Sequence, residues 1–304
     1  MGSDSGRRRW HSPQIPNPKD RWRRAPKTIL FGSRKPNSLL EETQLRAALE
    51  LPSDRTMYVV NRVHETFYAP ILAREPAQNI LVQPSNRGTA PAILYSLLRI
   101  AAVDPKALVA FFPSDHYISD NDKFMAHIRT ALDTARTRLD LVILLGLDPE
   151  SPEVEYGWIE PTVPIVGHSR VLGVRRFWEK PNQWLAQVLH LRGCLWNSFV
   201  MVAAVHTLID IIESAIPELY RSFACLSPLF GSRGETRAVS KLYHRIEEVN
   251  FSHQVLALRP GRLAVVKVTG VRWNDLGEPK RVMASLNMAG VRPRWLGTEL
   301  PQLA

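Results

Sequence analysis

Cysteine is scarce in this sequence, with Cys194 and Cys225 the two in 304 residues. Two thiols that far apart build neither a disulfide scaffold nor a zinc site, and a free buried thiol is the expected state of each. Long apolar runs are also missing. No stretch reaches the roughly 20 residues a membrane span needs. The N-terminus lacks the apolar core of a signal peptide. No membrane partner is therefore expected, and the cytoplasm is the expected location. His64, His127, His206 and His244 stand at no metal-ligand spacing, and each reads as a surface or satisfied core histidine. There is no internal repeat. A chain of this length can hold one large α/β domain or two modest ones.

Acidic residues are few at one end. Residues 1–35 carry ten Lys and Arg against Asp4 and Asp20, so +8 of the net charge of +10 sits there. Residues 1–25 are expected to be a basic, poorly ordered leader, and residues 26–304 one domain. Charge runs are usually solvated, so nucleic acid is not the expected partner.

What is present is concentrated between residues 81 and 116, LVQPSNRGTAPAILYSLLRIAAVDPKALVAFFPSDH. Two short apolar runs, 79–83 and 107–112, read as buried strands. Each ends at a proline, which has no N–H for a ladder. The stretch 90–102 between them has apolar residues at helical spacing. This order sets both polar turns at one edge of a parallel sheet, where open α/β folds bind ligands. Asn86, Arg87, Gly88 and Thr89 precede the helix, so their N–H groups face whatever lies at its N-terminus, a base or a phosphate. In the second turn Ser114, Asp115 and His116 put a carboxylate at a strand's carboxyl end, a position suited to magnesium. Taken singly, an aspartate placed like Asp115 is more often a turn former or cap than a metal ligand, and 86–89 more often an ordinary strand-to-helix connection.

The order of further motifs adds to this. QPSNRGTAPA and FFPSDH are followed by EYGWIEP at 155–161, FWEKP at 177–181, WNS at 196–198 and WNDLG at 273–277. In order and approximate spacing, from residue 26 to 281, the chain resembles the sugar-1-phosphate nucleotidyltransferase family, and within it the mannose-1-phosphate guanylyltransferases. The resemblance implies a Rossmann-like α/β fold of GT-A type, a mostly parallel sheet with helices on both faces. It implies transfer of a nucleoside monophosphate from GTP to mannose-1-phosphate, giving GDP-mannose and pyrophosphate, with Mg2+ as cofactor. By position, Asn86, Arg87, Gly88, Thr89 and Ser114 would bind the nucleotide. Asp115 and Asp275 would share the magnesium, Tyr156, Gly157, Glu179 and Asn197 would border the sugar, and Lys180 and Lys27 would engage phosphate. An oligomer is left open.

Residues 1–10 depart from the family pattern. Relatives open with a strand and a glycine-rich loop, GGxGTRL, that wraps the triphosphate. Here Gly2, Ser3, Asp4, Ser5, Gly6 and Arg7 read as a degraded remnant of it, with no strand before them. Removing even one preorganised donor can cost on the order of a hundredfold in rate. Two expectations stay open: a protein that starts further upstream than this sequence, or a decayed relative that binds sugar nucleotides without turnover. Elsewhere, 57–60 reads as a strand followed by a helix through His64 and Phe67, 124–139 as an amphipathic helix and 141–145 as a strand. Residues 200–216 read as including a buried helix ended by Pro217, and 221–240 as a mobile connection.

Overall fold

The computed structural model describes residues 37–277, together with Arg281 and Met283. The expected leader, residues 1–25, and Lys27 lie outside the described residues. In chain order the elements are α1 (Leu39–Ala47), β1 (Tyr58–Asn61), α2 (Glu65–Tyr68), β2 (Ile80–Gln83), α3 (Thr89–Val103), β3 (Leu108–Phe111), β4 (Tyr117–Ile118), α4 (Asn121–Thr137) and β5 (Val142–Leu147). There follow β6 (Gly157–Ile165), β7 (His168–Glu179), α5 (Gln183–Leu191), β8 (Leu195–Ala204), α6 (Val205–Ala215), α7 (Pro217–Ala224), α8 (Glu235–Tyr243), α9 (Phe251–Gln254), β9 (Leu263–Val268) and β10 (Trp273–Asn274).

A six-stranded sheet runs β3-β8-β5-β9-β7-β6, with β1-β2 and β4-β10 as separate pairs. Alternation along β5 shows how the sheet is covered. Val142 and Leu144 pack with Ile93, Leu94, Leu208 and Phe223 on one face. Ile143, Leu145 and Leu147 pack with Phe124, Met125, Ile128 and Leu189 on the other. A strand's period of two sends successive side chains to opposite faces, so a sheet sandwiched between helices needs every residue apolar. All six of β5 are buried.

The α/β class with helices on both faces is as expected, but the strand directions differ from a mostly parallel sheet. Among the described residues β1–β2 and β5–β9 are parallel, whereas β3–β8, β5–β8, β6–β7 and β7–β9 are antiparallel. The long hairpin of β6 and β7 and the reversed β8 are the cause. Residues 200–204 extend β8, so the buried helix begins only at Val205. Pro217, expected as a stop, opens α7 at its first turn, where its missing N–H is not needed.

The expected mobile connection at 221–240 contains parts of two helices. It is anchored by Glu235, a buried carboxylate that accepts from Tyr95 Oη at 2.6 Å and Gly231 N–H at 2.7 Å and pairs with Arg99. Composition alone suggests a loop. The part-buried Arg99–Glu235 ion pair, with the Tyr95 and Gly231 bonds to the same carboxylate, holds it down.

Candidate active site

The turns after β2 and β3 open onto one cleft of about 2030 Å³, lined among others by Gln83, Asn86, Gly88, Thr89, Ser114 and Asp115. One wall is the 86–89 turn, which is fastened to a distant segment. Arg87 Nε donates to Tyr243 O at 2.9 Å, and Arg87 O accepts from Val249 N–H at 3.0 Å. Ala90 N–H donates to Val249 O at 3.0 Å, and Thr89 Oγ1 accepts from Phe251 N–H at 2.9 Å. Gly88 has φ 80, and a Cβ there would lie 2.4 Å from Val249 O. Only glycine tolerates that backbone and that approach.

The helix start is less open than its sequence suggests. Gly88 N–H donates to Asn86 Oδ1 at 2.9 Å, Ala90 N–H is spent on Val249, and Pro91 has none. The Arg87 side chain likewise serves the wall. Asn86, Gly88 and Thr89 line the cleft.

The floor joins two remote turns. β4 and β10 pair antiparallel, Ile118 with Trp273 and Tyr117 with Asn274, so Asp115 and Asp275 both lie just past the end of one short ladder. Trp273 Nε1 donates to His116 Nδ1 at 3.2 Å, and the two rings meet edge to face at 5.2 Å. Asp115 keeps about half its side chain exposed, 3.8 Å from His116 Nε2. Asp275 is held harder. Its Oδ1 accepts from Gly277 N–H at 2.8 Å and Tyr156 Oη at 3.3 Å, and it lies 3.3 Å from the Arg281 guanidinium.

A second wall stands behind the Asp275 turn, built from β6, β7 and β8, and its Tyr156, Glu179 and Asn197 are not among the residues lining the cleft. Tyr156 is buried, its ring edge-on to Trp196 at 4.9 Å and Trp273 at 5.0 Å, so it supports Asp275 from behind. At Gly157 an added Cβ would meet Glu179 Oε2 at 3.1 Å and Asn197 Cβ at 3.3 Å; the bare backbone lets the three residues converge.

Asn197 is turned there by an irregularity. The β5–β8 register shifts between Leu144 and Gly146, and Ser198 fills the gap by donating to Leu145 O at 2.7 Å and accepting from Val200 N–H at 3.1 Å. Bulges of this kind re-aim side chains beside active sites. Burial pushes the Glu179 carboxyl above its usual range, against the pull of Lys180 and of hydrogen bonds from Asn250 and Ser252. Lys180 Nζ itself sits 3.0 Å from Glu155 Oε2.

Among the described residues the non-glycine residues in left-handed backbone are Lys180 (φ 45), Phe199 (φ 60) and Leu276 (φ 52). Each directly follows, or stands two places after, one of Glu179, Asn197 and Asp275. Such strain costs on the order of 1–3 kcal/mol per residue and clusters where a site is held against its local preference. At two of them a side chain shapes the turn: Asn197 Oδ1 accepts from Phe199 N–H at 3.2 Å, and Asn274 Oδ1 from Leu276 N–H at 2.7 Å.

Sequence reasoning missed Ser198, Asn250, Ser252, Tyr243 and Arg281. Only Asn250 carried a usable signal, as the N-cap before the Phe251–Gln254 helix, where its Oδ1 accepts from His253 N–H at 2.9 Å.

Two carboxylates at adjoining turns are hard oxygen donors that suit magnesium. Among the described residues no group of three or more His, Cys, Asp or Glu gathers within ligand range. The rest of the ion's coordination would come from water and phosphate oxygens, as is usual for this ion. No helix of the described residues is long and apolar enough to cross a membrane.

A sequence profile of the family described as nucleotidyl transferase matches residues 22–287, and the chain belongs to that family. Within it, the chain is similar to mannose-1-phosphate guanylyltransferase 2 of Escherichia coli O157:H7, 30% identical over 197 residues, 60% of this chain and 40% of that protein. It is also 27% identical to the xanthan biosynthesis protein XanB of Xanthomonas campestris pv. campestris over 248 residues, 79% of this chain and 50% of the relative. It thus spans about half the length of these relatives or less. A crystal structure described as mannose-1-phosphate geranyltransferase from Thermus thermophilus superposes with a TM-score of 0.71 at 26% identity, over 85% of this chain and 70% of that one.

Proposed function

We propose that this chain transfers guanylate from GTP to mannose-1-phosphate, releasing pyrophosphate, with Mg2+ held by Asp115 and Asp275. The observation that carries the reading is the β4–β10 pairing, which sets the Asp115 and Asp275 turns side by side at a cleft also lined by Asn86, Gly88 and Thr89. In this reaction a sugar phosphate oxygen attacks the α-phosphorus of a nucleotide. Two anions must be aligned and their charge neutralised, and no nucleophilic side chain is needed. Magnesium held by Asp115 and Asp275 would supply part of the neutralising charge. The chain's own groups orient the reactants. Asn86, Gly88, Thr89 and Ser114 face the nucleotide; Gly157, Glu179 and Asn197 face the sugar. Lys180, and Lys27 outside the described residues, supply positive charge to phosphate. The mannose preference rests on similarity to mannose-1-phosphate guanylyltransferase 2 and XanB.

The second reading is binding of GDP-mannose without turnover. One pair of assays separates the two, pyrophosphate release from GTP and mannose-1-phosphate with Mg2+ and calorimetric titration of GDP-mannose. Release that falls about a hundredfold in Asp275→Asn supports the transferase. Binding without release supports the second reading, and neither binding nor release overturns both.

A further inference from the structure

Arg281 is seated where a cation is expected. Its Nη2 lies 3.3 Å from Asp275 Oδ1 and its Nη1 3.3 Å from Glu153 Oε2. The guanidinium carbon stands 4.8 Å from the centroid of the Tyr156 ring, whose π face attracts positive charge. Its side chain is 14% exposed, against 23% for Asp275 and 26% for Glu153. Water therefore screens this cluster only in part.

Asp275 Oδ1 is already the acceptor of Gly277 N–H and Tyr156 Oη. A divalent ion approaching the same carboxylate meets a fixed unit positive charge at about salt-bridge distance. The single negative charge of Asp275 cannot balance both cations, and like charges in a half-buried site repel.

We infer that Arg281 is a resident competitor for the metal position at Asp275, and that a divalent ion binds there only as the guanidinium gives way. This rests on the proposed metal role of Asp115 and Asp275. Arg281 is thereby a positioning residue that sets the metal concentration the site needs. The neighbouring Glu153 gives it a second anchor in the released state. Its planar fork also matches a phosphate, which offers two oxygens at once.

The test is direct Mn2+ binding to the full chain without nucleotide, followed by electron paramagnetic resonance of the free ion. Arg281→Ala is expected to bind Mn2+ about tenfold tighter than the parent, the low end of the effect one neighbouring charge exerts on a carboxylate. Arg281→Lys, a more compact and more hydrated cation, falls between them. In Asp275→Asn the Arg281→Ala effect disappears, because the group competed for is gone. Equal or weaker Mn2+ binding by Arg281→Ala, with native circular dichroism and a sharp melt, overturns the competition. Mn2+ binding by Arg281→Ala that is indifferent to Asp275→Asn overturns the metal assignment itself, so the two failures read differently.

Discussion

The wall that carries Glu179, Asn197 and Asp275 is knitted into the six-stranded sheet or braced on its aromatic residues. The wall that carries 86–89 belongs to a two-stranded pair and is tied across to 243–251 by four hydrogen bonds. The first wall holds all the strained backbone found among the described residues, three left-handed non-glycine positions. The second uses a glycine where its backbone turns left-handed, and so stores little strain. A stiff sheet can over-determine unfavourable angles, whereas a turn held by a few hydrogen bonds cannot. The side expected to hold the metal and sugar is thus preformed, and the side expected to hold the nucleotide depends on one distant segment staying docked.

Substitutions on each wall sharpen or break that contrast. The largest effect is expected at Gly88. Alanine there adds roughly 1–3 kcal/mol for an extended positive-φ backbone (φ 80, ψ -175) that essentially only glycine occupies and about 1–3 kcal/mol of overlap with Val249 O, so Gly88→Ala should lose about 3 kcal/mol in urea unfolding. It should also raise amide exchange across 243–251. Loss of stability without extra exchange there would show that the turn and the segment are not coupled.

Ser198→Ala should cost about 1–3 kcal/mol, because Leu145 O and Val200 N–H are left buried without their partner. A loss of ligand affinity at Asn197 should accompany it, since the bulge aims that residue. An unchanged melting temperature would mean the register shift holds without the hydroxyl.

Lys180→Gly works in the opposite direction. It relieves strain at φ 45 and gives up an exposed ion pair with Glu155 and a positive charge beside Glu179, so stability should rise by up to about 1 kcal/mol while substrate affinity falls. A protein destabilised by this change would contradict strain at that site.

The smallest effect is a pH dependence at Glu179. Burial raises its folded pKa, so below the unfolded value both states are protonated and glutamine is equivalent to the native side chain. As pH rises through the raised folded value the ionised carboxylate carries a burial cost that glutamine lacks, and Glu179→Gln should gain stability relative to the parent. Melting curves at about pH 3.5 and pH 7 should show a gap that opens only at the higher pH. A gap of the opposite sign would mean that Lys180, Asn250 and Ser252 outweigh burial.

Much of this was legible in the chain itself. The expected strand at 79–83 is Ile80–Gln83, the helix at 90–102 is Thr89–Val103, and the strand at 141–145 is Val142–Leu147. Each has an unbroken period or a proline stop, which are local signals. The motif order was legible too, and the family match over 22–287 agrees with it.

The remainder was out of reach for a definite reason. Whether 200–204 is strand or helix is undecided by apolar content, because a fully buried segment has no polar face to reveal its period. Pairing with β3 and β5 decides it. The antiparallel course of β6 to β8, the anchoring of 221–240 through Glu235, and the commitment of Arg87 to Tyr243 all depend on partners remote in sequence.

By itself, then, the sequence determined the strands at 80–83 and 142–147, the helix at 89–103, the polar turns that interrupt them and the residue types those turns carry, since these follow from period, proline and local hydrogen bonding. Only the tertiary structure decided that Asp275 is shared by Tyr156, Gly277 and Arg281, and that Ser198 aims Asn197. Those geometries come from side chains brought together across the sheet, and no local pattern encodes a contact whose two halves are far apart in the chain.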